Sequence, residues 1–323
     1  MYKFKCLKPV CAVSAAVLLL CSCAPEKSSA EFYAFDTYCG ITLYGGENEL
    51  SSMKELMEDM SSEFQNAYGT DANTLTGEYI SDCAERSLLL SKEIGGGLNI
   101  TCGALTELWG ISTDTPSVPS QEDIDKALGT LRGGFDSLSE LPNGTRLDLG
   151  ASAKGYACDR AAELLSASET SCAVVSLGSS TLLYGEKPDG SSFKAAVKNP
   201  DKPSEYLGII NTSAAFISTS GGYERYFEQD GVKYGHILSP ETGYPVETDL
   251  TSVTVIVPYG TENGGILSDM LATAVYSGGT AELERYMDRE DCFIIAADEN
   301  RKVYVSTGVD FTLYENTGFS FSE

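Results

Sequence analysis

The sequence predicts an α+β fold: one compact domain with a mixed, largely antiparallel sheet and packed helices. Apolar residues recur at helical spacing over 47–67, where Leu50, Met53 and Met57 begin an apolar stripe. Short β-rich runs fill the region 172–220. Helical and β-rich segments do not alternate regularly, which argues against the repeated βαβ units of a parallel sheet.

The predicted elements follow one another without an internal repeat. A strand over 32–44 precedes the helix over 47–67, and a second helix ends at Ile94, before three glycines. Ser120 begins a capping box ahead of a short helix, and residues 148–167 fit a strand end, a turn and a helix. Alternating apolar residues predict strands over 173–177, 181–184, 193–197, 207–211, 215–218, 251–257, 293–296, 302–305 and 311–314. Helical spacing predicts two further helices, over 265–277 and 280–288.

The composition excludes several classes of protein. With 323 residues, 42% of them hydrophobic, the chain can bury a sizeable core and is not a disordered chain. It has 22 Lys and Arg against 47 Asp and Glu, a net charge of −25. Nucleic acid is therefore not an expected partner, because its phosphates require a basic surface. An anionic substrate would need a metal ion, a helix N-terminus or a single lysine.

The N-terminus has the features of a secretion signal. Three lysines precede an apolar run over 10–21 that is too short to span a bilayer. The run ends in Leu-Cys-Ser-Cys, which resembles a bacterial lipobox with Cys23 as the lipidated residue. An ordinary cleaved signal and an uncleaved anchor are the alternatives.

The lipobox divides the chain into three parts. We expect a lipoprotein signal peptide over 1–22, a lipidated tether over 23–32 and the folded domain over 33–323. The domain would then lie on the extracytoplasmic face of the cell membrane, held by its lipid anchor.

Cysteine and histidine usage excludes common metal sites. Six cysteines remain in the predicted domain, an even number that permits disulfides. None has C-x-x-C spacing, so we interpret them as small buried residues and leave their pairing open: Cys39, Cys83, Cys102, Cys158, Cys172 and Cys292. The single histidine, His236, cannot form the H-E-x-x-H site of a metalloprotease. Neither a G-x-G-x-x-G nor a P-loop sequence is present.

Two segments contain residues suited to a phosphate and a metal ion. In Asp148-Leu-Gly-Ala-Ser-Ala-Lys154, a strand end and a turn of small residues lead into a helix, whose free N–H groups and lysine favour an anion. Asp269 and Thr273 share one helix face and offer hard oxygen ligands of the kind Mg²⁺ prefers. Taken alone, each could equally be an ordinary turn or an ordinary helix.

Two further segments are rich in glycine and hydroxyl groups. His236 lies between Ser-Thr-Ser-Gly-Gly (218–222) and Ser-Pro-Glu-Thr-Gly-Tyr-Pro (239–245). A lone histidine is often structural, but these surroundings favour a functional role. The stretch 176–185 fits a strand, a tight turn and a second strand, and alone it indicates only a hairpin.

Together and in this order, the four segments resemble the ApbE family of FAD:protein FMN transferases. The resemblance extends from Phe35 to about Ala281. It implies a T-fold-like domain that uses Mg²⁺ to transfer FMN from FAD to a Thr or Ser hydroxyl of an acceptor protein, with release of AMP. The implied partners are FAD, an extracytoplasmic redox protein as acceptor, and the membrane through the lipid anchor.

The resemblance also implies roles for individual residues. Asp269 and Thr273 would bind the metal together with the carbonyl of Ala151. Asp148 and Lys154 would contact FAD.

The remaining implied roles concern the acceptor hydroxyl and the two ends of FAD. His236 would orient or deprotonate the acceptor hydroxyl, and His236 and Ile237 would lie against FAD. Phe35 would face the flavin, with Phe64 as a candidate stacking ring. Leu98 and Asn99 would lie near the adenosine half.

Some residues depart from the family pattern. Gly178-Ser-Ser stands where relatives have Gly-Gly-Asn or Gly-Gly-Asp, and Asn99 stands where they have Asp. Two other functions stay open: a Mg²⁺-dependent FAD pyrophosphatase that gives FMN and AMP, in which water attacks at the same site, and a flavin-binding lipoprotein without catalytic activity.

Overall fold

The computed structural model describes residues 26–95 and 97–322. The predicted signal peptide and the predicted lipidation site, Cys23, lie outside these residues. Within them the fold is a mixed α+β domain, as predicted, in which a nine-stranded sheet lies between helices and a three-stranded sheet.

The described residues contain fourteen strands. In chain order they are β1 (Lys27–Ala34), β2 (Thr37–Tyr44), β3 (Cys172–Leu177), β4 (Ser180–Gly185), β5 (Phe193–Asn199), β6 (Lys202–Thr212), β7 (Ala215–Gly221), β8 (Tyr226–Gln229), β9 (Val232–Gly235), β10 (Leu250–Pro258), β11 (Phe293–Asp298), β12 (Lys302–Val305), β13 (Asp310–Leu313) and β14 (Ser320–Phe321). The central sheet has the order β1-β2-β3-β4-β7-β10-β11-β12-β14, and β13-β6-β5 and β8-β9 form separate sheets. Neighbouring strands are antiparallel, except in the edge pair β12–β14.

The α-helices lie mainly on one face of the central sheet. They are α1 (Glu47–Ala67), α2 (Glu78–Ile94), α3 (Gly103–Trp109), α4 (Gln121–Leu128), α5 (Ala153–Ser166) and α6 (Gly264–Tyr286). Side chains alternate along a strand, so Val253 and Val255 of β10 face the helices whereas Ile256 faces the three-stranded sheet. The central sheet is therefore buried on both faces.

Two buried carboxylates join the N-termini of α5 and α6. Asp269 of α6 accepts a hydrogen bond from the N–H of Gly155 in the first turn of α5 (2.9 Å). Asp159 of α5 accepts hydrogen bonds from the N–H groups of Gly265 (2.7 Å) and Ile266 (2.9 Å) in the first turn of α6. The first N–H groups of a helix have no partner within it, so each helix caps the other.

The two helices approach this closely because residues 155 and 265 are glycines. A Cβ atom at Gly155 would lie 2.2 Å from the carbonyl oxygen of Gly265, and one at Gly265 would lie 2.2 Å from that of Gly155. Any side chain at either position would push the helices apart. The crossing therefore fixes the turn before α5 relative to Asp269.

The N-terminal region differs from the prediction in two ways. The predicted strand over 32–44 is a hairpin, in which Phe35 and Asp36 form the turn between β1 and β2 with φ of 51° and 52°. Left-handed backbone is unusual for a bulky residue such as phenylalanine, so no turn is expected there from the residue types. In addition, residues 27–32 of the predicted tether belong to β1.

Most other elements agree with the prediction. The boundary between the predicted helices 265–277 and 280–288 is a break within α6 at Gly279, where φ is 67° and ψ is −162°. The six cysteines interpreted as buried are free thiols, and all but Cys102 are fully buried. The hairpin β8–β9 was not predicted. No helix within 26–95 and 97–322 is long and apolar enough to cross a membrane.

We expect Asp159→Ala to lower the free energy of unfolding by about 2 kcal/mol, because the N–H groups of Gly265 and Ile266 would stay buried without acceptors. Urea unfolding with a fitted slope measures this change. Glu205 is a matched control, since it is an exposed carboxylate on β6 next to Lys202. Glu205→Ala is expected to cost less than about 0.5 kcal/mol. Equal losses in the two variants would contradict the capping role.

Candidate active site

Asp269 lies at the centre of the candidate site, in the second turn of α6. It is 3% exposed, and Lys154 Nζ lies 3.8 Å from the same Oδ2 atom that accepts the Gly155 N–H. Burial raises the pKa of Asp269, whereas the charge of Lys154 and the Gly155 hydrogen bond favour its charged form. The carboxylate is thus fixed in position by the start of α5.

Hydroxyl groups of α6 and β7 face each other beside Asp269. Thr273 lies one helical turn further along α6, and its Oγ1 is 3.0 Å from Oγ of Ser220. Oγ atoms of Ser268 and Ser218 are 2.9 Å apart. The shared helix face predicted for Asp269 and Thr273 is therefore lined with oxygen atoms.

Ser180 at the start of β4 adds another hydroxyl to this group. It is fully buried, and its interaction with Asp269 favours the charged carboxylate. Its Oγ nevertheless has no partner with hydrogen-bond geometry among the described residues. A buried hydroxyl without a partner is costly, so Ser180 marks a place where another polar group fits.

The turn before α5 leaves one carbonyl group free. Ser152 N and Ala153 N both donate to the carbonyl oxygen of Leu149 (3.0 and 2.8 Å). In a regular helix the Gly155 N–H would donate to Ala151, but here it donates to Asp269. The Ala151 carbonyl accepts no main-chain hydrogen bond from the described residues.

These oxygen atoms fit a magnesium ion. Asp269, Thr273 and Ala151 offer a carboxylate, a hydroxyl and a carbonyl, all of which are hard ligands suited to Mg²⁺. No group of three or more His, Cys, Asp or Glu side chains that could hold a metal occurs within 26–95 and 97–322. The set of Asp269, Thr273 and Ala151 carries a single negative charge, that of the Asp269 carboxylate.

Asp148 is held in place beside the same turn. Its Oδ2 accepts a hydrogen bond from Thr106 Oγ1 (2.5 Å), and its Oδ1 accepts one from Gly150 N (2.7 Å). The Asp148 carboxylate is thus oriented by α3 and by the small-residue turn, as the predicted contact with a ligand would require.

His236 follows β9 and is oriented by one main-chain carbonyl. Its Nδ1 lies 3.1 Å from the carbonyl oxygen of Arg225. A carbonyl oxygen only accepts, so Nδ1 carries the hydrogen and Nε2 has the free lone pair. Burial lowers the pKa of His236 to about 4, and the charges of Arg225 and Lys154 act in the same direction. The imidazole is therefore neutral at physiological pH.

Two aromatic residues near the end of α1 differ in exposure. Phe64 is enclosed by Phe35 and Tyr156, at ring distances of 6.2 and 6.3 Å. Tyr68, directly after α1, is instead 56% exposed. Partial burial raises the pKa of Tyr68, and the charges of Glu107 and Asp148 act in the same direction. Tyr68 is thus the more exposed of the two rings.

Three further predicted residues are held by loop and core contacts. Asn99 Oδ1 accepts hydrogen bonds from the N–H and hydroxyl of Thr101, and its Nδ2 donates to the carbonyl of Arg132. Its side chain therefore holds a loop. Leu98 and Ile237 are partly buried against the main core.

The comparisons with known proteins concern the same region. A family model described as "ApbE family" matches residues 35–295. The chain belongs to the ApbE family. The matched range contains every predicted site residue except Cys23.

Relatives in the ApbE family cover most of the chain. The FAD:protein FMN transferase of Treponema pallidum is 31% identical over 271 residues, which are 76% of this chain and 72% of the relative. That of Salmonella typhimurium is 28% identical over 294 residues, 80% of this chain and 84% of the relative.

Solved ApbE structures share the fold. The ApbE protein of Thermotoga maritima has a TM-score of 0.72 at 24% identity and covers 90% of this chain and 97% of its own. The flavin transferase ApbE of Vibrio cholerae has a TM-score of 0.71 at 22% identity, with coverages of 88% and 98%.

Sequence reasoning missed Tyr68 and Ser220, and it noted Ser180 only as part of Gly178-Ser-Ser. Tyr68 was missed because helical spacing does not show which of two nearby aromatic residues, Phe64 or Tyr68, stays exposed. Ser220 lies within a segment that the sequence did single out for its hydroxyl groups, which was the available signal. The unpaired hydroxyl of Ser180 is visible only in three dimensions.

The single histidine of the chain allows a direct measurement. In a tag-free sample, we expect the one imidazole signal to titrate with a midpoint of about 4. Under strong urea the midpoint of the same signal is expected to rise to about 6.5, the ordinary pKa of an exposed imidazole. NMR as a function of pH measures both. A folded midpoint near the unfolded one would contradict the buried, neutral imidazole.

Proposed function

We propose that the chain is a Mg²⁺-dependent FAD:protein FMN transferase that flavinylates a Thr or Ser hydroxyl of an acceptor protein. The hydroxyl oxygen forms a bond to the FMN phosphorus, and the bond from that phosphorus to the bridging oxygen breaks. AMP leaves with the bridging oxygen. The observation that carries the proposal is that Asp269 is held beside Lys154 at the start of α5, where the turn leaves the Ala151 carbonyl without a main-chain partner among the described residues.

Ala151, Asp269 and Thr273 would hold the Mg²⁺. Bound there, the ion would supply positive charge to the pyrophosphate oxygens on which negative charge develops during transfer. The single carboxylate leaves the rest of the coordination shell to water and phosphate, which is the usual arrangement for this ion.

Lys154 and the N-terminus of α5 favour an anion in an otherwise acidic protein. The chain carries a net charge of −25, so the pyrophosphate of FAD requires local compensation. Lys154 supplies a full positive charge, and its side chain is held beside Asp269. The helix N-terminus adds a partial positive charge in the same place.

His236 is suited to accept the proton of the acceptor hydroxyl. Its Nδ1–H is used by the Arg225 carbonyl, which leaves the Nε2 lone pair for the hydroxyl. A bound pyrophosphate would add negative charge nearby, which raises the pKa of an imidazole and makes it a stronger base. Such a base contributes roughly 10²–10⁴ in rate.

The two ends of FAD would contact different parts of the site. Tyr68 would provide aromatic surface for the flavin, the largely buried Phe35 would support the turn that faces it, and Ile237 would add an apolar contact. Asp148 is oriented to accept a hydrogen bond. Leu98 and the loop held by Asn99 would contact the adenosine half of FAD.

Intact mass spectrometry of an acceptor flavodomain tests the proposal. Incubation with residues 26–323, FAD and Mg²⁺ is expected to add one FMN per acceptor, and chelation of Mg²⁺ is expected to abolish the gain. Asp269→Ala is expected to lower transfer at least about 10³-fold at limiting Mg²⁺, because the metal loses its single charged ligand. Full activity in this variant would contradict the assignment.

Two further results separate the alternatives. AMP and free FMN with an unmodified acceptor would indicate the pyrophosphatase, and intact FAD would indicate a flavin-binding protein. Tyr68→Ala serves as a contrast, since loss of stacking is expected to raise the KM for FAD about tenfold with a small change in kcat. Tyr206→Ala removes an equally exposed ring, 54% exposed, from the second sheet and is expected to leave both constants unchanged.

We also propose that a lipid on Cys23 holds the enzyme at the extracytoplasmic membrane surface. Because β1 begins at Lys27, residues 24–26 alone separate Cys23 from the sheet. The Cα atoms of Cys23 and Lys27 can therefore be at most about 14 Å apart. The turn at Phe35 lies at the other end of β1, about 26 Å away, so the site would be held at a distance from the bilayer.

Cys23→Ser is expected to move the full-length protein from the membrane fraction to the soluble fraction, because a serine cannot carry the thioether-linked lipid. Fractionation followed by immunoblotting measures this. The neighbouring Cys21→Ser is the matched control and is expected to stay with the membrane. Lipidation at Cys23 would be contradicted if an equal share of the two variants stayed in the membrane fraction.

A further inference from the structure

A groove of about 500 Å³ lies between the β8–β9 hairpin and the segment 244–251. Tyr223 and Tyr276 also line it. None of the roles proposed above for FAD or Mg²⁺ uses this groove.

One wall of the groove is the free edge of β9. All four residues of this strand, Val232 to Gly235, line the groove. Their side chains alternate between the two faces of the hairpin. A groove along one face would contact only every second residue. Because this groove contacts all four, it runs along the edge of β9.

The hydrogen-bonding pattern shows which main-chain groups point into this edge. His236 N donates to the carbonyl of Arg225, so these two residues form a hydrogen-bonded pair. In an antiparallel ladder, hydrogen-bonded and non-hydrogen-bonded pairs alternate. With the observed register, Glu228–Lys233 and Tyr226–Gly235 are non-hydrogen-bonded pairs. The N–H and C=O groups of Lys233 and Gly235 therefore point away from β8, towards the groove.

The hairpin is rigid enough to act as a template. Phe227 and Tyr234 pack against Trp109 at ring distances of 6.4 and 5.6 Å. Trp109 Nε1 donates to the carbonyl of Gly243 (2.7 Å), which ties the hairpin to the opposite side of the groove. Little ordering is then required when another strand is added.

The free edge leads directly to the proposed base. Gly235 is the last residue of β9, and His236 follows it in the chain. A Cβ atom placed on Gly235 would meet nothing within 4 Å, so this end of the groove is open. A chain paired with β9 would end beside Gly235, because just beyond it the carbonyl of Ile237 already accepts a hydrogen bond from Val246 N (2.9 Å), and its last residue would lie next to His236.

We propose that the groove binds the acceptor protein through an extended segment that pairs with β9 as a third strand. The Thr or Ser to be flavinylated lies within one or two residues of the one opposite Gly235. The inference rests on the proposed function, since it names the partner surface of that site. Main-chain pairing would provide affinity for segments of different sequence.

Two proline substitutions at one cross-strand pair test the inference. Lys233→Pro removes an N–H that points into the groove, and Glu228→Pro removes the equivalent N–H on the outer edge of β8. Neither N–H bonds within the hairpin, so both variants are expected to keep it. We expect Lys233→Pro to lower kcat/KM for the acceptor at least about tenfold, and Glu228→Pro to lower it less than about twofold.

Lys233→Ala keeps the main-chain N–H and removes the side chain, which lies over the Tyr226 ring. Like Glu228→Pro, it is expected to lower kcat/KM for the acceptor less than about twofold. Gly235→Leu is a second test that does not depend on proline. The leucine side chain would meet open space in the free protein, but it would hinder a strand added beside β9. This substitution is also expected to raise the KM for the acceptor and to leave the KM for FAD unchanged.

Three results would overturn the inference. One is equal transfer by Lys233→Pro, Gly235→Leu and the unsubstituted protein. Another is an equal loss in Lys233→Pro and Glu228→Pro. The last is an increase in the KM for FAD alone, which would assign the groove to FAD. Absence of any transfer by the unsubstituted protein would instead overturn the proposed function itself.

Discussion

The candidate site depends on one contact, the crossing of α5 and α6 at Gly155 and Gly265. The two main chains are so close there that a methyl group does not fit between them. At this distance Asp269 and Asp159 can each reach the N-terminus of the other helix. The same hydrogen bond that caps α5 also takes the Gly155 N–H away from Ala151. One packing contact thus orients the carboxylate and frees the carbonyl.

This arrangement explains why a buried charge is tolerated at Asp269. Burial of an unpaired carboxylate would be strongly unfavourable. Asp269 is compensated by the Gly155 N–H and by Lys154, whose ammonium group lies 3.8 Å away. Both groups belong to the start of α5, so the charge needed for an anion site and the charge needed for stability come from the same turn. A metal ion would add a further positive charge to this balance.

The sequence predicts what depends on local pattern and misses what depends on tertiary placement. The start of α5, the pair Asp269–Thr273 and the break at Gly279 follow from helix spacing and small residues. The turn at Phe35 and Asp36 was missed, because β-forming residues on both sides make it part of one run. Tyr68 was passed over because exposure is decided by how α1 packs. The hairpin β8–β9 was missed because it is short and stabilised mainly by the cluster around Trp109.

The unusual turn at Phe35 links the two ends of the proposed site. A bulky residue in left-handed backbone costs of order 1–2 kcal/mol. Here the turn is held from two sides: Phe35 N donates to Ser61 Oγ (2.7 Å), and Arg225 Nη2 donates to the carbonyl of Asp36 (3.4 Å). Arg225 also accepts the Nδ1–H of His236 through its own carbonyl. One residue therefore connects the turn proposed to face the flavin with the imidazole proposed to accept the proton, so a shift of either would be transmitted to the other.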